Sequence, residues 1–236
     1  MSKVFVSIII PAYREAGEIG KLVRFLMPLL KADGHAECLV IDAGSDDGTE
    51  AEAREAGAVV LQSPRKGRAA QMNYGAAQSR GALLYFLHAD SYPPAGFLDE
   101  IRARAKEGRE SGCYRLAFDE PHAVMRLYAW FTRFDLLPFR FGDQSLFVTR
   151  EVFDAVGRFD ESLVVMEDNE LVRLLRKRNT FVVMPGEVTT SARKYRQNGF
   201  VRLQFIFAVI FVLHYGGASQ QLLVQFYRDS IRQNKI

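Results

Sequence analysis

Over residues 1–90 the apolar positions come in short unbroken runs, and each run stops at a polar or turn-forming residue. Val4 to Ile10 runs into Pro11, Glu37 to Ile41 into Asp42, and Ala58 to Leu61 into a polar stretch. Ala82 to Leu87 runs into His88-Ala89-Asp90, with Pro93-Pro94 just beyond. Runs of this length read as strands buried on both faces. Between them the period becomes helical. Ile19, Leu22, Val23, Leu26, Leu29 and Leu30 share one helix face; Pro28 should kink or split that helix, and Gly34 should close it. Thr49 to Ala56 and the small-residue segment Gly67 to Arg80 read as two more helices. The order β-α-β-α-β-α-β predicts a parallel sheet with helices on both faces.

Beyond Pro94 the pattern is less regular. Helices are predicted over Phe97 to Lys106, Ala123 to Phe134, Arg150 to Val156 and Glu167 to Arg178. Strands are predicted over Gly112 to Phe118, Ser145 to Thr149, Phe181 to Met184 and Val188 to Ser191. Phe200 to Tyr215 and Ser219 to Arg228 form a helical tail. The chain divides on this reading into a main domain, 1–199, with halves 1–90 and 91–199, and a tail, 200–236.

Length and charge narrow the picture. At 236 residues there is material for one large domain and a sizeable core. A net charge of +3 with dispersed basic clusters gives no case for nucleic acid. Those clusters suit a phosphate-bearing ligand or an anionic surface. Cys38 and Cys113 sit alone in apparent strands, with neither metal nor disulfide spacing, which predicts core thiols in a reducing compartment. Val4 to Ile10 is too short for a signal peptide and has no cleavage site. The expected location is cytoplasmic, with a peripheral position on the inner face of the cell membrane left open. Phe205 to Leu213 is wholly apolar, yet its helix is only about 24 Å long at 1.5 Å per residue. That falls short of a hydrocarbon core of ~30 Å. Residues 200–228 therefore either lie in a membrane interface or pack against the domain or a second subunit.

The candidate chemistry sits at the strand ends. In an open α/β sheet, ligands bind beyond the carboxyl ends of the strands. There is no G-x-G-x-x-G and no G-x-x-x-x-G-K-[ST]. Instead, Pro11-Ala12-Tyr13-Arg14-Glu15 follows the first strand, where Tyr13 could cover a nucleobase and Glu15 could bond a base or ribose. Asp42 closes the second, ahead of the turn Ala43 to Thr49. Arg65-Lys66-Gly67-Arg68 opens a helix whose N-terminus, with Arg68, favours a diphosphate. His88, Ala89 and Asp90 close the fourth, where a carboxylate beside an imidazole can hold a hard divalent metal.

These four strand ends together resemble the nucleotide-sugar half of the family 2 glycosyltransferases, which share the GT-A fold. That family has P-x-Y-N-E, an Asp-Gly-Ser-x-Asp-Gly-Thr turn and D-x-D at the corresponding places. Downstream, Phe141-Gly142-Asp143-Gln144 is similar to the family's acceptor segment. Gly157-Arg158-Phe159-Asp160 and Met166-Glu167-Asp168-Asn169-Glu170-Leu171 are similar to its G-x-F-[DE] and E-D-x-[DE]-[LF] patterns. The wording Phe-Leu-His-Ala-Asp, Gly-Asp-Gln and Met-Glu-Asp resembles a bacterial subgroup.

The resemblance implies an inverting hexosyltransferase-like enzyme that moves a sugar from a nucleotide-diphosphate donor to an acceptor hydroxyl, a lipid-linked one included. Asp168 is the implied base, with Glu167 beside it. Pro11, Tyr13, Glu15, Asp42, Lys66, Arg68, His88, Ala89, Asp90 and Arg193 are implied for the donor, and Gly142, Asp143 and Gln144 for the acceptor. Asp90 and His88 are the implied ligands of Mn²⁺ or Mg²⁺. His88 replaces the first acid of D-x-D. Either Asp90 holds the metal almost alone, with substrate phosphates completing its shell, or metal dependence is weak. A nucleotidyltransferase of related fold would carry a Gly-rich loop after strand one, which is missing. A non-catalytic sugar-nucleotide-binding protein associated with the membrane would have no need of both Asp90 and Asp168.

Overall fold

The computed structural model describes residues 3–232; positions 1–2 of the predicted main domain and 233–236 of the predicted tail lie outside the described residues. The chain opens with β1 (Val6–Ala12), α1 (Ile19–Asp33), β2 (Ala36–Asp42), α2 (Thr49–Glu55), β3 (Val59–Gln62), α3 (Arg68–Gln78) and β4 (Leu83–Phe86). It continues with β5 (Ser91–Tyr92), α4 (Phe97–Lys106), β6 (Ser111–Phe118), α5 (Ala123–Phe131), β7 (Leu146–Thr149) and α6 (Arg150–Ala155). Then come α7 (Glu167–Arg176), β8 (Phe181–Thr190), α8 (Arg193–Asn198), α9 (Phe200–Tyr215) and α10 (Gln220–Ser230).

All strands join one eight-stranded sheet in the order β3-β2-β1-β4-β7-β6-β8-β5. The first four are mutually parallel, while β7 runs antiparallel to both β4 and β6. The result is a mixed α/β sheet with helices on both faces, as the resemblance to the GT-A fold implies. Alternation along β1 shows why both faces are covered. Val6, Ile8 and Ile10 pack with α1, α2 and α4, whereas Ile9 packs with α3, α6 and α7. Ile8, Ile9 and Ile10 are all 0% exposed; burying such a side chain contributes about 1.5–3 kcal/mol.

Several boundaries differ from expectation. Pro11 does not end β1; it pairs with Ile41 inside the ladder. The Ile9 carbonyl accepts from Leu87 N–H, so Pro11, two residues on, turns the same way, where the β4 ladder has already ended at Phe86. Its missing N–H therefore falls where the β1–β4 ladder stops. Pro28 does not split α1, and Gly34 closes that helix as predicted, with a φ of 70° and its N–H on Leu30 O. β4 stops at Phe86 rather than His88, and Ala89–Asp90 form a turn into the two-residue β5, which pairs with β8. The two predicted strands 181–184 and 188–191 are one strand. Its register against β6 shifts between Cys113↔Val183 and Arg115↔Glu187, which absorbs Pro185 and Gly186 as a bulge.

The tail helices pack on the domain. Leu203, Ile206 and Ile210 of α9 and Leu223 and Tyr227 of α10 join Met125, Val165, Met166 and Tyr195 in an apolar cluster. That settles one face of α9 as a packed face; Val201, Phe205 and Val212 remain exposed. No helix among the described residues is long and apolar enough to cross a membrane.

Close packing of α3 places the ligand edge. Gln71, 4% exposed, donates its side-chain amide to Ala12 O and Ile41 O at 2.8 and 2.7 Å, tying the ends of β1 and β2 together. One turn on, Gly75 lies so near the sheet that a Cβ would meet Ile9 Cγ2 at 2.5 Å and Ile41 Cγ1 at 2.9 Å. Gly75→Ala should therefore destabilise the fold by about 1–3 kcal/mol, the range for overpacking a core. Urea denaturation checks this, and an unchanged midpoint would contradict so tight a contact.

Candidate active site

Four segments bring charged side chains together beyond the strand ends. α3 begins at Gly67, whose φ of 113° favours glycine, and its first residue is Arg68. β4 leads through Leu87 to His88. A short 3₁₀ turn, Gly142–Gln144, precedes β7. α7 begins with Glu167 and Asp168, acids in a first turn where the helix dipole favours negative charge. Met166 before them holds a φ of 75°, an uncommon value for a side-chain-bearing residue, and packing in the tail cluster holds it there.

The contacts form a chain of alternating charge. Arg68 Nη1 donates to Glu167 Oε1 at 2.9 Å and lies 3.7 Å from Asp168 Oδ2. His88 Nε2 lies 3.7 Å from the same Asp168 oxygen, and His88 Nδ1 is 3.0 Å from Asp143 Oδ1. Gly142 closes the group. A Cβ there would fall 2.1 Å from Asp168 Oδ2 and 2.7 Å from His88 Nε2, so only glycine admits the approach.

Burial sets the electrostatics. It opposes the His88 charge, but the Asp143 hydrogen bond and the Asp168 carboxylate outweigh it and lift His88 to about 9. Burial would raise Asp143, yet His88 draws it down to about 2. Glu167, 3% exposed, is pushed up to about 7 by burial, with Arg68 opposing and Asp168 adding. Burial works against the Arg68 charge, but Glu167 and Asp168 raise it. Burial and the neighbouring Asp143 raise Asp90 as well.

The other predicted residues are placed as follows. The Glu15 carboxylate faces Arg193 at 3.4 Å, and Glu15 N–H donates to Thr49 Oγ1. Tyr13 has the Arg14 and Lys66 cations each 5.5 Å from its ring centroid. Asp42 is fully buried; its carboxylate accepts from Gly44 N, Ser45 N and Ser45 Oγ, and so shapes its own turn. Gln144 turns inward, where its Oε1 accepts from the fully buried Arg140 at 3.0 Å. Pro11 lies within β1 and Ala89 is buried in the turn before β5.

Three residues at the site were not anticipated. Asn169, 1% exposed, donates to Leu137 O and Arg140 O and accepts from Tyr215 OH at 2.7 Å, which ties α7 to α9. Lys194 Nζ donates to Tyr227 OH at 3.1 Å, tying α8 to α10. In the sequence Asn169 stands within the acidic motif and Lys194 among the basic residues Arg193, Lys194 and Arg196, while the third, Arg140, carries no signal. The partners of Asn169 and Arg140 are set by tertiary contact alone.

Among the described residues, no three His, Cys, Asp or Glu side chains gather as a metal cage. A hard cation that shares its shell with phosphates needs only one or two carboxylates. Asp90 suits that role: its charge is disfavoured by burial and by Asp143 and Glu15, and a cation there relieves all three effects. His88 suits it less, because Nδ1 already binds Asp143 and Nε2 faces Asp168.

The chain is 36% identical over 101 residues to "Glycosyltransferase AglE" of Haloferax volcanii, a match covering 40% of this chain and 33% of that protein. The matched segment thus spans about a third of that curated relative. A mannosyltransferase from Pyrobaculum calidifontis, solved with GDP-Man and Mn²⁺, superposes with a TM-score of 0.72 at 15% identity, covering 98% of this chain and 70% of that one. Glucosyl-3-phosphoglycerate synthase from Mycobacterium tuberculosis, solved with Mn²⁺, UDP and glucosyl-3-phosphoglycerate, gives 0.65 at 19% identity, covering 92% and 81%. At such identities these two likenesses establish the fold. The sequence model described as "Glycosyl transferase family 2" matches residues 7–158, well over half of the chain, and the protein belongs to that family.

Proposed function

We propose that the protein is an inverting glycosyltransferase that moves a hexose from a nucleotide-diphosphate sugar to an acceptor hydroxyl. The observation that carries this reading is Asp168, held at the start of α7 between Arg68 and His88 at 3.7 Å each, with Gly142 leaving its carboxylate room. In this reading residues 1–90 hold the donor, and 91–199 with the tail hold the acceptor.

Asp168 takes the proton of the acceptor hydroxyl as that oxygen bonds to the anomeric carbon. The bond from that carbon to the diphosphate oxygen breaks on the opposite side, and the nucleoside diphosphate leaves with the electron pair. Arg68 and Arg193 stabilise the charge that develops on it. Tyr13, Glu15 and Lys66 contact the nucleoside side, where Asp42 keeps the turn in shape. His88 and Asp143 orient Asp168. Asp90 would hold a divalent metal, which when bound would supply positive charge to the diphosphate. Support for that assignment comes from the relatives solved with GDP-Man and Mn²⁺ and with UDP and Mn²⁺.

Three outcomes are expected. Asp168→Asn should keep donor affinity and lower transfer by ~10²-fold or more, the scale for losing a general base. Donor-sugar hydrolysis can report this, and unchanged turnover would remove Asp168 from the mechanism. Asp90→Ala should abolish the enhancement of nucleotide binding by Mn²⁺, measured calorimetrically; an unchanged Mn²⁺ dependence would rule out the assignment.

The third concerns pH. The fold holds the Glu167 proton more tightly than the unfolded chain does, because its value rises from 4.5 to about 7. Its contribution to stability is thus full below about pH 4.5 and lost as pH rises through about 7. Melting temperature should fall across that window in the wild type and fall less in Glu167→Gln. Parallel curves for the two proteins would count against a buried, proton-holding Glu167.

A further inference from the structure

A cavity of about 160 Å³ opens beside Asp168, and its lining is divided. One end carries Arg68, His88, Asp143, Glu167, Asp168 and Lys194. The rest is apolar, with Leu116 and Phe118 from β6, Tyr128 from α5, Phe139 and Phe141 from the segment before β7, and Phe207 and Ile210 from α9. None of Tyr13, Glu15, Asp42, Lys66 or Asp90 lines it. The cavity therefore lies on the acceptor side, and it shares only its charged end with the proposed reaction.

Most polar groups in the apolar walls are already satisfied; among the described residues, the Tyr128 hydroxyl and the Gln204 amide nitrogen are the exceptions. Thr132 Oγ1 donates to Ala129 O and accepts from Leu116 N–H. Tyr195 OH donates to Gln204 Oε1 at 2.9 Å, and Asn169 is bonded at both ends of its amide. Two buried side-chain atoms of lining residues have no hydrogen-bond partner, His88 Nε2 in the charged end and Gln144 Nε2 on the side chain that meets Arg140. A hydroxyl-rich body in the apolar part would lose its water and find few free partners. An apolar body would lose nothing. Apolar cavities of about 150 Å³ admit a benzene-sized group.

Building on the glycosyl-transfer reading, we infer that the acceptor is an alcohol or phenol whose hydroxyl is attached to a compact apolar group. Its hydroxyl meets Asp168, and its apolar group lies among Phe139, Phe141, Phe207 and Ile210. Such a compound can come free from solution or as the end of a lipid held in a bilayer.

The test uses 2-phenylethanol as probe, with glycerol as its polar counterpart, in thermal-shift and ligand-observed NMR measurements on the whole protein. The probe should bind and glycerol should not. Phe207→Gln should weaken probe binding about tenfold or more, the scale for placing a polar group against an apolar ligand, and Phe207→Leu should retain it. Nucleoside-diphosphate binding in each variant reports that the variant is folded. Glycerol binding as well as 2-phenylethanol, or probe binding unaffected by Phe207→Gln in a folded variant, overturns the inference. If nucleoside diphosphate binds wild type and Asp168→Asn stops donor hydrolysis while the probe fails to bind, the apolar acceptor falls and the transferase reading stands. Phosphatidylcholine vesicles carrying dodecanol separate the two sources. Displacement of the probe by these, with plain vesicles silent, identifies the bilayer; no displacement of bound probe identifies a free acceptor. Either result upholds the acceptor chemistry.

Discussion

A carboxylate withdrawn from water is stable only beside matching positive charge. That constraint shapes the centre of this molecule. Glu167 is almost fully buried, and the guanidinium that answers it comes from Arg68, on a helix far earlier in the chain. Asp168 and Asp143 are answered by His88, from the segment after β4. The ions come from four separate segments, so the cluster forms only when α3, the end of β4, the turn before β7 and α7 are in place together. Removing one partner would leave another charge uncompensated in a low-dielectric setting. The same cluster therefore joins the two halves of the sheet and places the Asp168 carboxylate beside the cavity.

The parallel half of the sheet was legible because its signals are local. Unbroken apolar runs mark strands covered on both faces, and the two interior clusters confirm it. Glycine signals also read well, since Gly34 and Gly67 occupy positive φ where a helix ends or begins. Proline misled in both directions. Pro11 is tolerated in β1 because its missing N–H faces a finished ladder, a fact about the neighbouring strand. Pro28 lies within α1 without splitting it. The bulge in β8 likewise depends on its register with β6, so a break in alternation looked like two strands.

At the site, residue types were legible and partners were not. The pairing of Arg68 with Glu167 spans 99 positions, and nothing in either neighbourhood announces it. Gln144 carries a motif position yet turns toward buried Arg140, and Asp42 spends its carboxylate on its own turn. Asn169 stands within the acidic motif but holds backbone carbonyls and Tyr215, a task visible only once α9 is packed. The dual lining of the cavity was equally hidden, because its apolar wall gathers β6, α5, a loop and α9.

The bond from Tyr215 to Asn169 has a consequence for how such a protein can diverge. Through it α9 braces the start of α7 as well as encloses the cavity, while Lys194 and Tyr227 tie α8 to α10. A substitution on the inner face of α9 alters which molecule can reach the carboxylate, while β1 to β4 and the donor edge are untouched. Inheritance can therefore keep the first half of the chain nearly constant and explore new chemistry by varying the last fifth. The limit on that freedom is the Tyr215 hydroxyl: a tail that changes its wall must still brace α7, or the Asp168 carboxylate loses its position.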